Sequence, residues 1–321
     1  MKLLLTGATG FVGTHIRRYV LGKGGWQIVG TTLPQFPAEP LDPRRESIVP
    51  IDLRDAAAVR ALLEESRPEA IIHLAAQSHV PTAYRDPWGT LENNIRSQLN
   101  LLEGCVRLGL KPRVLVIGSG EEYGRAPEEA LPFTERSPLR PENPYSVSKV
   151  AQDVMGYQYF ISYGLPVMRV RPFNHAGPGQ SERFVIAAFA AQIARIEAGK
   201  QPPVMRVGNL SPSRDFTDVR DVVRAYEGLI LRGEPGEVYN VASGTPRSIQ
   251  SILDGLLALT EVAISVEIDP QRYRPADVPL IYGSYAKLEA AIGWRPEIPF
   301  EQTLRDVLNE WRARVGVSRT A

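Results

Sequence analysis

Leu3-Leu4-Leu5-Thr6-Gly7-Ala8-Thr9-Gly10-Phe11-Val12-Gly13, near the start of the chain, decides the fold. Three leucines in a short continuous apolar run read as a strand buried on both faces. The run passes directly into a GxxGxxG loop and then into a helical pattern through Tyr19. At such a turn Gly7 permits the tight bend, Gly10 lets the backbone approach a pyrophosphate, and Gly13 lets helix pack closely on strand. The helix start at Phe11 and Val12 presents N–H groups with no intrahelical acceptor, which suits phosphate. An ordinary glycine-rich turn has the same composition, but the position on the first βα turn of an α/β chain favours a dinucleotide loop.

Outward from that loop, short apolar runs recur at 28–29, 48–49, 71–74, 114–117 and 167–170. Amphipathic stretches separate them, among them 56–65, 93–108 and 145–163. Strand and helix in alternation predict an α/β fold, a doubly wound parallel Rossmann sheet with right-handed crossovers. After about Arg171 the rhythm changes, with Pro and Gly clustered at 172–179, 202–203 and 272–279. A smaller C-terminal α/β portion is expected there, closing over the carboxyl edge of the sheet. The expected division is 1–173 for the dinucleotide-binding part, with 216–242 returning to it, and 174–321 mainly for substrate.

Lys and Arg number 37 against 36 Asp and Glu, a net charge of +1. No broad cationic field results, which argues against nucleic acid or an anionic membrane as partner. The single cysteine, Cys105, excludes an intrachain disulfide and fits a reducing compartment. It lies among Leu101, Leu102 and Val106, where a buried structural thiol is expected. The apolar start is shorter than a signal peptide requires, and no stretch approaches the roughly 20 apolar residues of a membrane span. A cytoplasmic protein without a metal is expected.

Enzymes that use NAD(H) usually place an acidic residue after the second strand, on the ribose 2′-hydroxyl. Here that strand ends Val29-Gly30-Thr31-Thr32-Leu33-Pro34. The missing carboxylate favours NADP(H) over NAD(H), with Arg17 or Arg18 able to reach a 2′-phosphate, unless both are solvated helix residues. Asp52, in Ile51-Asp52-Leu53, can accept a hydrogen bond from adenine or cap the next helix.

Tyr145-Ser146-Val147-Ser148-Lys149 puts a tyrosine and a lysine four apart, hence on one helix face. A nearby ammonium favours the phenolate and brings tyrosine towards acid–base use. YxxxK alone is common as a solvated pair. Upstream, however, the strand at 114–117 runs into Gly118-Ser119-Gly120-Glu121-Glu122-Tyr123-Gly124. A hydroxyl at a strand's carboxyl end sits where open α/β sheets bind ligands, so Ser119 can hold a carbonyl oxygen that Tyr145 protonates.

The glycine loop, His73-Leu74-Ala75-Ala76, Ser119 and YxxxK, in this order, resemble the extended short-chain dehydrogenase/reductase family over essentially 2–311. The resemblance implies Ser119, Tyr145 and Lys149 as the catalytic set. For the cofactor it implies Gly7, Gly10, Phe11, Val12, Gly13, Thr32, Asp52, Leu53, Leu74, Ala75 and Ala76, together with Tyr145 and Lys149. Asn94 matches a position that supports the lysine or the cofactor, and helices 93–108 and 145–163 match a pair that forms a four-helix homodimer interface in relatives.

Arg171-Pro172-Phe173-Asn174-His175-Ala176-Gly177-Pro178-Gly179-Gln180 resembles the GDP-4-keto-6-deoxy-D-mannose reductase branch and, less closely, GDP-mannose 4,6-dehydratases. Likeness continues through 207–221 and 274–284. By this analogy Asn174, Arg214 and Arg274 hold the diphosphate of a GDP-linked 4-keto-6-deoxy sugar, and Phe184 and Val185 line the nucleotide pocket. Arginine's planar fork suits phosphate oxygens, although a salt bridge from Arg214 to Asp218 is the competing expectation. The branch implies hydride transfer to C4, giving GDP-D-rhamnose. Glu121 has the spacing of the glutamate with which dehydratases remove water across C5 and C6, and the loop of His79 also resembles the dehydratase form. Both residues are counted with the substrate site, the dehydratase standing second, another epimerase third and a non-catalytic dinucleotide-binding protein last.

Overall fold

The computed structural model describes residues 1–272 and 278–316. Arg274 lies outside the described residues, so its expected role is not addressed by the structure. Strands β1 (Lys2–Thr6), β2 (Gln27–Thr32), β3 (Glu46–Pro50), β4 (Ala70–His73), β5 (Arg113–Ile117) and β6 (Val167–Pro172) are followed by β7 (Asn174–Ala176), β8 (Val204–Val207), β9 (Ser213–Asp218) and β10 (Val238–Val241). The last three are β11 (Pro246–Ser248), β12 (Ser265–Ile268) and β13 (Leu280–Ile281). The helices are α1 (Phe11–Lys23), α2 (Ala56–Ser66), α3 (Val80–Arg85), α4 (Pro87–Arg107), α5 (Pro144–Tyr163), α6 (Val185–Glu197), α7 (Val219–Arg232), α8 (Ile249–Leu257), α9 (Ala286–Ile292) and α10 (Phe300–Val315).

Seven parallel strands form the main sheet in the order β10-β6-β5-β4-β1-β2-β3. Alternation along each strand explains its two-sided burial. Leu3 and Leu5 point into a core with Ile16, Val20, Tyr226 and Leu229 of α1 and α7. Leu4 points the other way, into a core with Leu63, Leu101, Leu102 and Tyr159 of α2, α4 and α5. The order reverses between β1 and β4, and the crevice outside their carboxyl ends is where such sheets take ligands.

The chain leaves the sheet after β6 for a small sheet in which β9 pairs with β7, β11 and β13. It then returns: α7 packs beside α1, and β10 pairs with β6. Phe216 itself stays in the small sheet, with α6, α8 and α10 packed around it. Among the described residues no helix is long and apolar enough to cross a membrane.

Candidate active site

At the carboxyl end of β1, Gly7 has φ +68°, and a Cβ there would lie 3.0 Å from the Ala75 nitrogen. A Cβ on Gly13 would fall 2.3 Å from the Gly7 carbonyl oxygen, so only glycine lets α1 sit this close. Thr31 accepts from the Ala8 amide at 2.9 Å, and the Thr9 and Thr32 hydroxyls are 2.9 Å apart. The ends of β1, β2 and β4 thus converge on the loop, bringing Thr32, Leu74 and Ala75 beside it. Gly10 starts α1 without a side-chain cap, and no acid stands in the first turn. Uncapped amides beside a glycine cradle fit the pyrophosphate of a dinucleotide.

Two of the alternatives that the sequence leaves open close here. Arg17 is buried and its Nε donates to Glu46 at 2.5 Å, with Nη2 donating to the Glu39 carbonyl, so it faces inward rather than towards a phosphate. Arg18 is exposed. Nor does Asp52 cap α2: Asp55 accepts from the Ala57 and Ala58 amides. Asp52 instead pairs with Arg54 at 2.7 Å, which holds its carboxyl below the usual range, and Leu53 is buried behind it.

Asn143 caps α5 and Pro144 opens it, which fixes Tyr145 in the first turn and Lys149 one turn on. Ser119 caps a 3₁₀ turn, Gly120–Glu122, directly after β5. Its hydroxyl faces the Tyr145 phenol, near enough to favour the ionised form. Lys149 Nζ donates to the Ile117 carbonyl at 2.8 Å and lies 5.9 Å from the Tyr145 ring centre. The expected lowering of Tyr145 is not found. Burial pushes it above its usual range, and the Glu121 and Glu122 carboxylates add to this, against the Ser119 hydroxyl. Burial likewise pulls Lys149 down, to about 8. Tyr145 is therefore a phenol at neutral pH, as a proton donor must be.

Asn94, fully buried on α4, accepts from the Gln77 amide at 2.7 Å and donates to Ser148 Oγ at 2.9 Å. It ties the segment after β4 to α5 beside the lysine, without meeting Lys149 Nζ's own partner, Ile117.

Next to this centre is a cavity of about 230 Å³, lined by the predicted Glu121, Asn174, Val185 and Arg214 and by Arg183, Asn209 and Arg272. Asn209 belongs to the 207–210 stretch whose likeness the sequence shows, though nothing there singles it out; no motif marks Arg183 or Arg272, although Arg183 directly precedes Phe184-Val185. Arg214 is buried, and the competing salt bridge to Asp218 does not form: Asp218 is held by Arg220 and Thr303, each at 2.7 Å. Glu121 accepts from Asn143 Nδ2 at 3.2 Å, so it stands between cavity and α5. Phe184 packs edge-on to His79 with ring centres 6.3 Å apart, beside the lining rather than in it. Cys105 is buried, its thiol pushed up to about 12 by burial, which excludes it as a nucleophile.

The sequence matches the GDP-mannose 4,6 dehydratase family over residues 4–307. The chain belongs to this family. Within the family's relatives it is 40% identical, over 98% of both chains, to the GDP-6-deoxy-D-mannose reductase of Pseudomonas aeruginosa. It is 30% identical to GDP-mannose 4,6 dehydratase 2 of Arabidopsis thaliana, over 96% of this chain and 86% of that one. Among solved structures, RMD from Pseudomonas aeruginosa complexed with NADPH superposes with a TM-score of 0.85 at 39% identity, over 98% of this chain and 99% of that one. The UDP-glucose 4-epimerase of Thermus thermophilus in complex with NAD gives 0.87 at 30% identity, over 97% and 99%. The extended short-chain dehydrogenase/reductase fold of this family member therefore extends over its whole described length.

Proposed function

We propose that this member of the family reduces C4 of GDP-4-keto-6-deoxy-D-mannose to give GDP-D-rhamnose, with NADPH as preferred donor and NADH as the alternative. One observation carries the reading: the Ser119–Tyr145 pair with Lys149 beneath it adjoins an arginine-lined cavity, in a chain 40% identical to a GDP-6-deoxy-D-mannose reductase. Thr32, Asp52, Leu53, Leu74, Ala75 and Ala76 form the proposed wall around the glycine loop. Asn174, Arg214 and Val185 are the proposed nucleotide side, in the portion after residue 173, with His79 and Phe184 at its margin.

When bound, the dinucleotide supplies the hydride that becomes the new C4–H bond. Tyr145 gives its phenolic proton to the C4 oxygen, so the carbonyl π bond is replaced by C–H and O–H. Ser119 hydrogen-bonds that oxygen and sets its direction. The Lys149 ammonium compensates the phenolate left behind, and solvent returns the proton.

Glu121 supports the second reading, a GDP-mannose 4,6-dehydratase, because it lines the cavity two residues beyond Ser119. A matched pair of assays separates the two. Stoichiometric NADPH oxidation with GDP-4-keto-6-deoxy-D-mannose, and no keto sugar from GDP-D-mannose, is the expected result. Keto sugar formed from GDP-D-mannose without net cofactor use overturns it in favour of the dehydratase. Silence in both assays removes the GDP-mannose branch and leaves another epimerase or a non-catalytic binder.

Cytoplasmic placement remains our reading, since neither the substrate class nor the single buried thiol needs an oxidising compartment. The four-helix homodimer is also proposed, now from a specific surface. Val147, Val154, Tyr157 and Ile161 form an exposed apolar stripe on α5, Ile161 being 61% exposed, with Trp88 and Leu99 exposed on the adjacent α4. A continuous apolar stripe of this kind marks an interface. Ile161→Asp is expected to turn a sedimenting dimer into a monomer without lowering Tm; a variant that still sediments as wild type removes the stripe from the interface.

A further inference from the structure

Beneath the strand end lies a group of buried charges that the reaction as written does not use. Glu122, with no exposed side-chain surface, folds back under the 3₁₀ turn, and its Oε1 accepts from the Ser119 amide at 2.7 Å. Room for it depends on Gly118, since a Cβ there would lie 2.3 Å from that same oxygen. Its Oε2 is 3.2 Å from Arg171 Nε, and is otherwise without a hydrogen-bond partner. Arg171 also donates to Asp153 at 2.8 Å and to the Tyr123 hydroxyl at 3.0 Å, and Arg169 donates to Asp153 at 2.6 Å.

Counting charges decides what Glu122 does. Arg169 and Arg171 bring two guanidinium charges to this cluster. Asp153 offsets one of them, and an ionised Glu122 offsets the other. Lys149 of α5, whose Nζ donates to the Ile117 carbonyl and forms no salt bridge among the described residues, then carries a positive charge available to balance the Tyr145 phenolate. With Glu122 neutral, Lys149 loses the carboxylate that favours its ammonium form against burial. Of the other groups facing this cluster, Tyr123 is a phenol pushed up by burial and His73 of β4 is held neutral by burial, near 3, while the Glu135 carboxylate accepts from the Asn240 amide at 2.8 Å and the Glu121 carboxylate from Asn143 Nδ2 at 3.2 Å, on the cavity side. Burial, with Asp153, pushes the Glu122 carboxyl up to about 8 against Arg171, the Ser119 amide and Lys149, so it ionises over the range in which Lys149 gives up its proton. Its titration is therefore linked to that of Lys149.

We propose that Glu122 is a positioning residue for the reaction: it pins the turn that presents Ser119, and its carboxylate keeps Lys149 in the ammonium form. The catalytic consequence rests on the reductase reading above, whereas the effect on Lys149 does not.

The chain has six lysines, so lysine labelled with ¹³C at Cε gives a spectrum in which Lys149 can be assigned by its loss in Lys149→Met. Titration of the NADPH-bound and cofactor-free protein is compared with Glu122→Gln, which keeps an oxygen acceptor for the Ser119 amide but removes the charge. The Lys149 midpoint is expected to fall by about one pH unit or more in the variant, and the alkaline limb of kcat to move with it. An unmoved midpoint in a folded Glu122→Gln protein overturns the proposal. A moved midpoint in a protein that does not reduce the keto sugar sustains it and removes the reductase reading instead. Should the variant fail to fold, the wild type carries the test: the Lys149 titration must depart from a single-site curve through its coupling to Glu122, and a single-site curve refutes the coupling. Glu122→Asp, retaining charge, is expected to restore most of the midpoint.

Discussion

Tyr145→Phe is expected to lower kcat for NADPH-dependent reduction by about 10³-fold while leaving NADPH affinity within about twofold. The phenol faces the Ser119 hydroxyl at the strand end, and burial keeps it protonated well above neutral pH. Removing its hydroxyl deletes the proton donor and little else, since the ring keeps its place in the first turn of α5. Steady-state NADPH oxidation and fluorescence titration of NADPH check the two halves separately. More than a tenth of the wild-type rate in the variant assigns the proton to another group. The pH profile follows from Lys149. Burial holds its folded pKa below the usual lysine value, at about 8, so the ammonium is present below that pH and is lost as pH rises through it. The rate of the wild type is therefore expected to fall on the alkaline side near pH 8, as the phenolate loses its counter-charge.

Asp215→Ala is expected to cost about 3 kcal/mol or more of stability, lowering Tm by roughly 5–10 °C. Asp215 has no exposed surface and accepts four hydrogen bonds: from the Ser243 amide at 2.7 Å and hydroxyl at 2.6 Å, and from the Gly244 and Gly283 amides at 3.0 and 3.3 Å. These donors come from the turn after β10 and the segment after β13, so one carboxylate joins the main sheet's last strand to the small sheet. Alanine leaves all four donors without their acceptor in a buried joint. Because Arg214 is the preceding residue of β9, KM for the nucleotide sugar is expected to rise as well. Thermal melts decide the first effect, and a Tm within about 2 °C of wild type shows that water replaces the carboxylate there. Asp215→Asn restores only part of this, since whichever way its amide turns the nitrogen faces at least one backbone donor.

Legibility in the sequence follows the range of the interaction. The glycine loop, the short apolar strands and the Tyr145–Lys149 spacing are local patterns, set by strand period, helix period and the steric demands of a single turn. Ser119 is legible for the same reason, standing directly after an unmistakable strand. A residue's position along one element can therefore be read from the chain itself, and with it the alternation of strand and helix and the proposed catalytic set.

What lies across long sequence separations cannot. Arg17 and Arg18 look alike in sequence, yet one turns inward to Glu46 and the other faces solvent. Glu122 resembles any acidic turn residue until Gly118, Arg171 and Asp153 are seen around it. The direction of the Tyr145 shift runs against the sequence expectation because a neighbouring lysine is visible in the sequence whereas desolvation is not. Chain-local geometry by itself determined which residues share a face and where the dinucleotide loop lies. Only tertiary packing decided which charges lose water and which find a partner, because burial is a property of the assembled layers and enters electrostatics through every element at once.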